Sequence, residues 1–144
     1  MMNIASILAR KGGKVATCRP EQSIRQALAL LAEHNIGALV VVDETAAPAG
    51  MLSERDIVRE AARDERLFAR RVGEIMTRDV IVGVPEDDLR AVRHTMTERR
   101  IRHVPVVVEG RLVGIVSIGD VVKAELDQYL GEVETLQTQI GVRL

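Results

Sequence analysis

The chain is almost without aromatic side chains: Phe68 and Tyr129 are the whole complement among 144 residues, and tryptophan is absent. Stacking of nucleic-acid bases on protein rings is thereby nearly excluded, and a formal net charge of −1 offers no overall attraction for a polyanionic backbone. Any nucleobase held here must sit between aliphatic side chains and backbone. A single cysteine, Cys18, cannot form an internal disulfide, and Met-Met-Asn-Ile-Ala-Ser-Ile-Leu at the N-terminus lacks the apolar core and cleavage site of a secretion signal. A reducing, cytoplasmic setting is expected. No apolar run nears the ~18 residues of a membrane span; the longest, residues 36–42 and 104–108, have strand length. Nor is there a Walker-type Gly-Lys-Ser/Thr, a Gly-x-Gly-x-x-Gly fingerprint or a metal-ligand cluster, and His34 and His94 have no second ligand at metal spacing.

What the chain does have is one stretch written twice. Gly114-Ile115-Val116-Ser117-Ile118-Gly119-Asp120 carries an apolar strand into a Ser-x-x-Asp helix start, and Gly50-Met51-Leu52-Ser53-Glu54-Arg55-Asp56 repeats it. A helix start presents unpaired backbone N–H groups and partial positive charge, suited to a phosphate, here with a hydroxyl and a carboxylate beside it. Such a carboxylate can grip a ribose diol, as an acidic residue does in dinucleotide sites. Alone, each Ser-x-x-Asp is a capping box. Two at equivalent positions of a duplicated unit point to ligand sites.

The rest of the chain repeats around them. Residues 3–10 read as a short amphipathic lead-in, 15–17 as a strand ended by Arg19-Pro20, and 23–35 as a helix with Ile24, Ala27, Leu28 and Leu31 on one face. Residues 37–43 are a strand apolar throughout, hence covered on both faces. A hairpin turn leads to a strand at 49–52 and a helix at 56–63. The charged run 64–71 reads as a solvated connection that Leu67 and Phe68 could anchor. From Val72 the pattern restarts, with 72–76 as lead-in, 80–82 as strand and Pro85 as stop. A shift of 65 maps Pro20 onto Pro85, Leu31 onto Met96 and Val41 onto Val106; a shift of 64 maps Asp56 onto Asp120, one residue being lost in the hairpin turn.

The fold class expected is therefore mixed α/β (α+β): two β-α-β-β-α repeats packed as a pseudo-twofold pair over a shared core, since a half of ~65 residues is marginal alone. The divisions are 1–71 for the first repeat with its lead-in and linker, 72–126 for the second, and 127–144 for a C-terminal helical extension. Along that last helix Val122, Leu126, Tyr129, Val133, Leu136 and Ile140 are spaced 4, 3, 4, 3 and 4 apart. This is a coiled-coil seam, which either packs on its own domain or meets a second subunit.

The duplicated unit, with Gly-Ile-Val-Ser-x-x-Asp and the upstream Ile101-Arg102-His103-Val104-Pro105-Val106-Val107, resembles a pair of cystathionine-β-synthase-type (CBS) domains, a Bateman module of the stand-alone bacterial type. The resemblance covers about residues 4–123. It implies a non-catalytic regulatory module that binds adenosyl compounds of the AMP, ADP, ATP, NAD or S-adenosylmethionine kind between its repeats, as a nucleotide or energy sensor. It implies no catalytic cofactor, the adenine nucleotide being a regulatory ligand. Carried over by position, Asp56 with Ser53 would serve one cleft and Asp120 with Ser117 the other, the carboxylates on ribose and the hydroxyls near phosphate. Thr17 and Val82 would line the base. Arg102 and His103 would meet phosphates, His103 adding pH sensitivity near neutrality, and Arg55 is a further phosphate partner.

The first repeat departs from the family pattern, with Gly37 and Ala38 in place of the basic pair and Val40 in place of proline. Two unequal clefts are expected. The partners implied are the adenosyl ligand, a second copy in a homodimer and an unidentified protein target, with no nucleic acid and no membrane. An enzyme reading built on Ser117, His103 and Asp120 fails for want of a nucleophile-elbow turn. The alternative from another class is a dimeric interaction scaffold with vestigial clefts, whose C-terminal helix recruits a partner.

Overall fold

The computed structural model describes residues 2–139 and folds the two repeats into two small sheets, each covered by helices. The first repeat runs α1 (Ile4–Lys11), β1 (Thr17–Cys18), α2 (Ile24–His34), β2 (Ala38–Val42), β3 (Pro48–Ser53) and α3 (Glu54–Ala61). After a 3-10 turn at Leu67–Ala69 come α4 (Val72–Ile75), α5 (Leu89–Arg99), β4 (His103–Val108), β5 (Arg111–Ser117) and α6 (Ile118–Gln139). Ser23 caps α2 in a reciprocal box with Gln26, and Asn35 ends it in the left-handed conformation. Ser53 and Asp56 form the same box at α3, which therefore opens at Glu54 and not at Asp56.

β1 runs parallel to β2, with Thr17 opposite Val40, and β2 pairs antiparallel with β3. β4 and β5 form the matching hairpin, but the strand expected at residues 80–82 does not form. Only Gly83 bridges Val106: its N–H donates to Pro105 O (2.8 Å) and its carbonyl accepts from Val107 N–H (2.9 Å). The next rung toward residue 81 would need an N–H from residue 105, and proline has none. Val40, the equivalent residue of the first repeat, keeps its N–H, and there β1 forms.

Two hydrophobic interiors stand where one shared core was expected. Cys18, Ile24, Leu31, Leu39, Leu52 and Ile57 build the first; Leu89, Met96, Val104, Val106, Val116 and Val121 build the second. The repeats are joined by exchange. α1 sends Ile4 and Ile7 into the second interior, while Val72 and Met76 enter the first. Both lead-ins dock alike: Ile4 N–H donates to Asp87 O (3.0 Å) and Val72 N–H to Gln22 O (2.8 Å), the two acceptors standing one repeat shift apart. Glycine permits each crossing. A Cβ on Gly50 would lie 2.5 Å from Met76 Sδ and 2.9 Å from Thr77 O, and one on Gly114 would lie 2.7 Å from Leu8 Cδ2. The glycine that heads each copy of the repeated stretch is thus where the other half's lead-in rests on the strand.

In the connection, Leu67 is buried and anchors the chain, whereas Phe68 is exposed, its ring centroid 5.5 Å from the Arg25 guanidinium. Arg70 gathers Glu60 and Asp64 (3.3 Å each) and Glu74 (2.9 Å), so this charged run is ordered by ion pairs. Along α6, Val121 and Ala124 face the second interior, but Val122, Leu126, Tyr129 and Leu136 are exposed. Among the described residues the seam does not pack on its own domain; Ile140 lies outside them.

Candidate functional site

The exchange of lead-ins opens two pseudo-equivalent clefts between the repeats. The larger, of about 650 Å³, has one wall from the first repeat, residues 14–17 and 36–38, and an opposite wall of His103, Ile115 and Ser117. The smaller, of about 240 Å³, reverses the roles: residues 79–81 with Arg100 and Ile101 of the second repeat face Met51, Ser53, Arg55 and Asp56 of the first. Each cleft therefore joins the approach to one repeat's first strand with the Ser-x-x-Asp helix start of the other. Both lie where a strand ends and a helix begins, a usual place for ligands in α/β folds.

Asp120 borders the large cleft through an ion pair. Its Oδ2 accepts from Ser117 N–H (2.9 Å) and from Lys11 Nζ (2.7 Å), and Lys11, on the cleft wall, also donates to Ile115 O (3.1 Å). Burial pushes the Asp120 carboxyl up, but the hydrogen bonds from Lys11 and Ser117 and the charge of Lys11 outweigh it and hold it below the usual carboxylate range. Among the described residues no cation is paired with Asp56. Its Oδ2 accepts from Ser53 N–H (3.0 Å), and α4 is half the length of α1 and ends before it could carry a counterpart of Lys11. His103 lines both clefts. Burial lowers its pKa, the charges of Lys11 and Arg102 lower it further, and Asp120 opposes them.

Thr17, Ser117 and His103 thus meet in the large cleft, with Asp120 behind Lys11; Ser53, Arg55, Asp56 and His103 meet in the small one. Arg102 lines neither. It stands in a shallow groove of about 320 Å³ that shares Arg55, Arg100 and Ile101 with the small cleft. Val82 is exposed and lines a separate recess beside Gly83 and Ala91, while Val80 and Ile81 face the small cleft in its place. Lys11, Lys14 and Arg100 are cleft residues that sequence reasoning missed. Lys11 gave no signal, because only the crossing of α1 brings it to Asp120. Arg100 did give one, since the repeat shift sets it against Asn35. No cluster of metal-ligating residues occurs among the described residues.

The chain matches the family described as CBS domain at residues 5–63 and 72–127. It is 35% identical over 146 residues to the CBS domain-containing protein CBSX3, mitochondrial, of Arabidopsis thaliana, an alignment spanning 95% of this chain and 71% of that protein. Its fold superposes on the CBS-domain containing protein ATU1752 of Agrobacterium tumefaciens with a TM-score of 0.82 at 39% identity, over 86% of this chain and 99% of that one. The CBS domain pair of protein MJ0100, solved in complex with 5'-methylthioadenosine and S-adenosyl-L-methionine, superposes with a TM-score of 0.77 at 29% identity, over 89% and 98% of the two chains. With its two repeats, exchanged lead-ins and twin Ser-x-x-Asp clefts, the chain belongs to the CBS domain family.

Proposed function

We propose that the chain is a non-catalytic regulatory module that senses an adenosyl ligand, of the AMP, ADP, ATP or NAD class, in the clefts between its repeats. The observation that carries this reading is the composite build of each cleft, an apolar wall from one repeat facing a Ser-x-x-Asp helix start from the other. In the large cleft Val15, Ala16, Ile36 and Ile115 offer aliphatic faces for adenine, as a chain with two aromatic residues must. Asp120 offers an acceptor for ribose hydroxyls, and Lys11 and Lys14 offer cations for phosphate. Its volume falls within the ~300–1,000 Å³ of small-molecule sites. The complex of the MJ0100 pair with two adenosyl compounds supports the ligand class.

A ligand gripped by both repeats biases how they are set against each other, by as much as its affinities for the two arrangements differ. That bias is the output, passed to a protein target. The module acts as a homodimer in a reducing, cytoplasmic setting, with the exposed α6 seam supplying the contact between copies. Sedimentation of the chain truncated after Lys123 tests this: a monomer is expected, and a dimer would place the contact on the repeats. Ligand sensing itself is tested by calorimetry of nucleotide-stripped protein with AMP, ATP, NAD and S-adenosylmethionine. At least one should bind with a Kd of about 1 mM or better, and Asp120→Ala should weaken the large cleft about tenfold. Silence from all four ligands would leave the scaffold alternative, with vestigial clefts.

A further inference from the structure

The two repeats differ in what covers the start of their first long helix, α2 or α5. In the first repeat the chain leaves α3 and returns over the start of α2, the 3-10 turn packing on both helices. Leu67 is buried in the first interior, the Phe68 ring stands 5.5 Å from the Arg25 guanidinium, and Ile24 N–H donates to Arg70 O (2.9 Å). Arg70 also collects Glu60 and Asp64 (3.3 Å each). A basic and apolar segment, Arg66-Leu67-Phe68-Ala69-Arg70, thus fills the angle between the two helices.

In the second repeat α6 continues as one helix to Gln139, and among the described residues no segment turns back. The backbone bond is kept, Leu89 N–H donating to Met2 O (3.1 Å), with Leu89 and Arg90 one repeat shift from Ile24 and Arg25. The side-chain filling is not. A groove of about 450 Å³ lies there between α6 and the start of α5, with Met2, Leu89 and Tyr129 as its apolar surface and Arg90, Glu125 and Glu132 around them. Tyr129 is 61% exposed. Glu125 Oε1 is closed to solvent and accepts no hydrogen bond among the described residues, although Arg93 Nε lies 3.1 Å away. Glu132 is met there by Gln128 alone, at 3.4 Å. A second copy paired along the α6 seam brings these carboxylates no cation. They take the flanking g positions, which face Leu130 and Gln137 in a parallel pair and each other in an antiparallel one.

We propose that this groove is where a protein target docks, entering with a short basic and apolar segment of the same chemistry as residues 66–70. A leucine of that segment rests on Met2, Leu89 and Tyr129, and an aromatic ring meets Arg90 as Phe68 meets Arg25. A guanidinium meets Glu125 and Glu132 as Arg70 meets Glu60 and Asp64. Because Tyr129 and Glu132 stand on α6, docking acts on the helix that also carries the seam. That the segment belongs to the target of a sensor rests on the function proposed above; the chemistry of the groove does not.

Fluorescence anisotropy of a labelled peptide of residues 64–71, Asp-Glu-Arg-Leu-Phe-Ala-Arg-Arg, titrated with the full chain tests this, beside the calorimetry with the four adenosyl ligands. The peptide should bind saturably, with a Kd of about 1 mM or better, and more weakly as salt rises. Leu67→Ser with Phe68→Ser in the peptide should abolish binding. In the protein, Glu132→Lys should weaken it about tenfold, whereas Glu134→Lys, the same change of charge outside the groove, should shift it by no more than about twofold. Both side chains are exposed, so both variants should melt with the parent. No binding, or equal effects of the two substitutions, refutes the docking site. Exclusion of the peptide wherever the chain is dimeric assigns the groove to the second copy and overturns the proposal. Groove-dependent peptide binding with silence from all four adenosyl ligands leaves the docking site standing and removes the adenosyl reading; ligand binding without peptide binding does the reverse.

Discussion

At Asp120 two demands compete. On the proposed reading the carboxylate accepts ribose hydroxyls from a ligand, yet in the free protein it already accepts from Lys11 Nζ at 2.7 Å. A ligand entering the large cleft is therefore expected to exchange that ion pair for its own contacts, with a phosphate taking over the displaced ammonium. Because its pKa is depressed, the Asp120 contribution to stability is present above the unfolded value of about 3.9 and lost only as pH falls through the lower folded value. It does not vary near neutrality. His103 behaves differently. Its folded pKa lies below the ordinary value, so as pH falls below about 6.5 the unfolded chain takes up a proton before the folded one does, and stability declines. Thermal midpoints measured from pH 7.5 down to 5.5 should therefore fall, and His103→Gln should flatten the slope; an unchanged slope in the variant would remove His103 from the account. A bound phosphate favours the charged imidazole, so anionic ligands should bind more tightly toward pH 6, with proton uptake.

At the scale of elements, the lead-ins decide the architecture. Ile4 belongs by sequence to the first repeat and by packing to the second, where it is fully buried against the core that contains Leu89 and Val116. Ile4→Ala should cost about 2–5 kcal/mol, and amide exchange should quicken in α5 and β5 before it does in α2; the reverse order would contradict the exchange. The duplication, the boundaries of α2 and β2 and the two Ser-x-x-Asp starts were legible in the sequence, because the repeat shift and the capping chemistry are local signals. The exchange was not. Ile4, Ile7 and Leu8 announce that α1 needs a core, but duplication provides two equivalent ones, each with a glycine where a lead-in can rest, so local sequence does not distinguish them. The missing strand at residues 80–82 follows from Pro105 standing where Val40 stands in the first repeat, a contrast present in the sequence whose effect depends on the ladder register. Of the candidate site residues, Ser53, Asp56, Ser117 and Asp120 were singled out by their motif; the first three line the clefts, and Asp120 is joined to the large one through Lys11. Val82 was placed by repeat position alone, and without a strand to fix it the chain turns that side chain to a separate recess.

Across the whole molecule, exchange makes two clefts of one plan, and sequence divergence then makes them unequal. The large cleft carries Lys11 and Lys14 on an extended lead-in; the small one carries an arginine groove and a carboxylate with no lysine across it. His103 borders both. On the proposed reading an adenosyl ligand sits across the two repeats, held by parts of each. A crystal structure of the protein soaked with AMP tests this most directly. Adenine should lie between the 15–16 backbone and Ile115, with the ribose on Asp120 and Lys11 Nζ moved from the carboxylate to the phosphate. Nucleotide density confined to one repeat, or lying away from both Asp56 and Asp120 with the Lys11 ion pair intact, would contradict it.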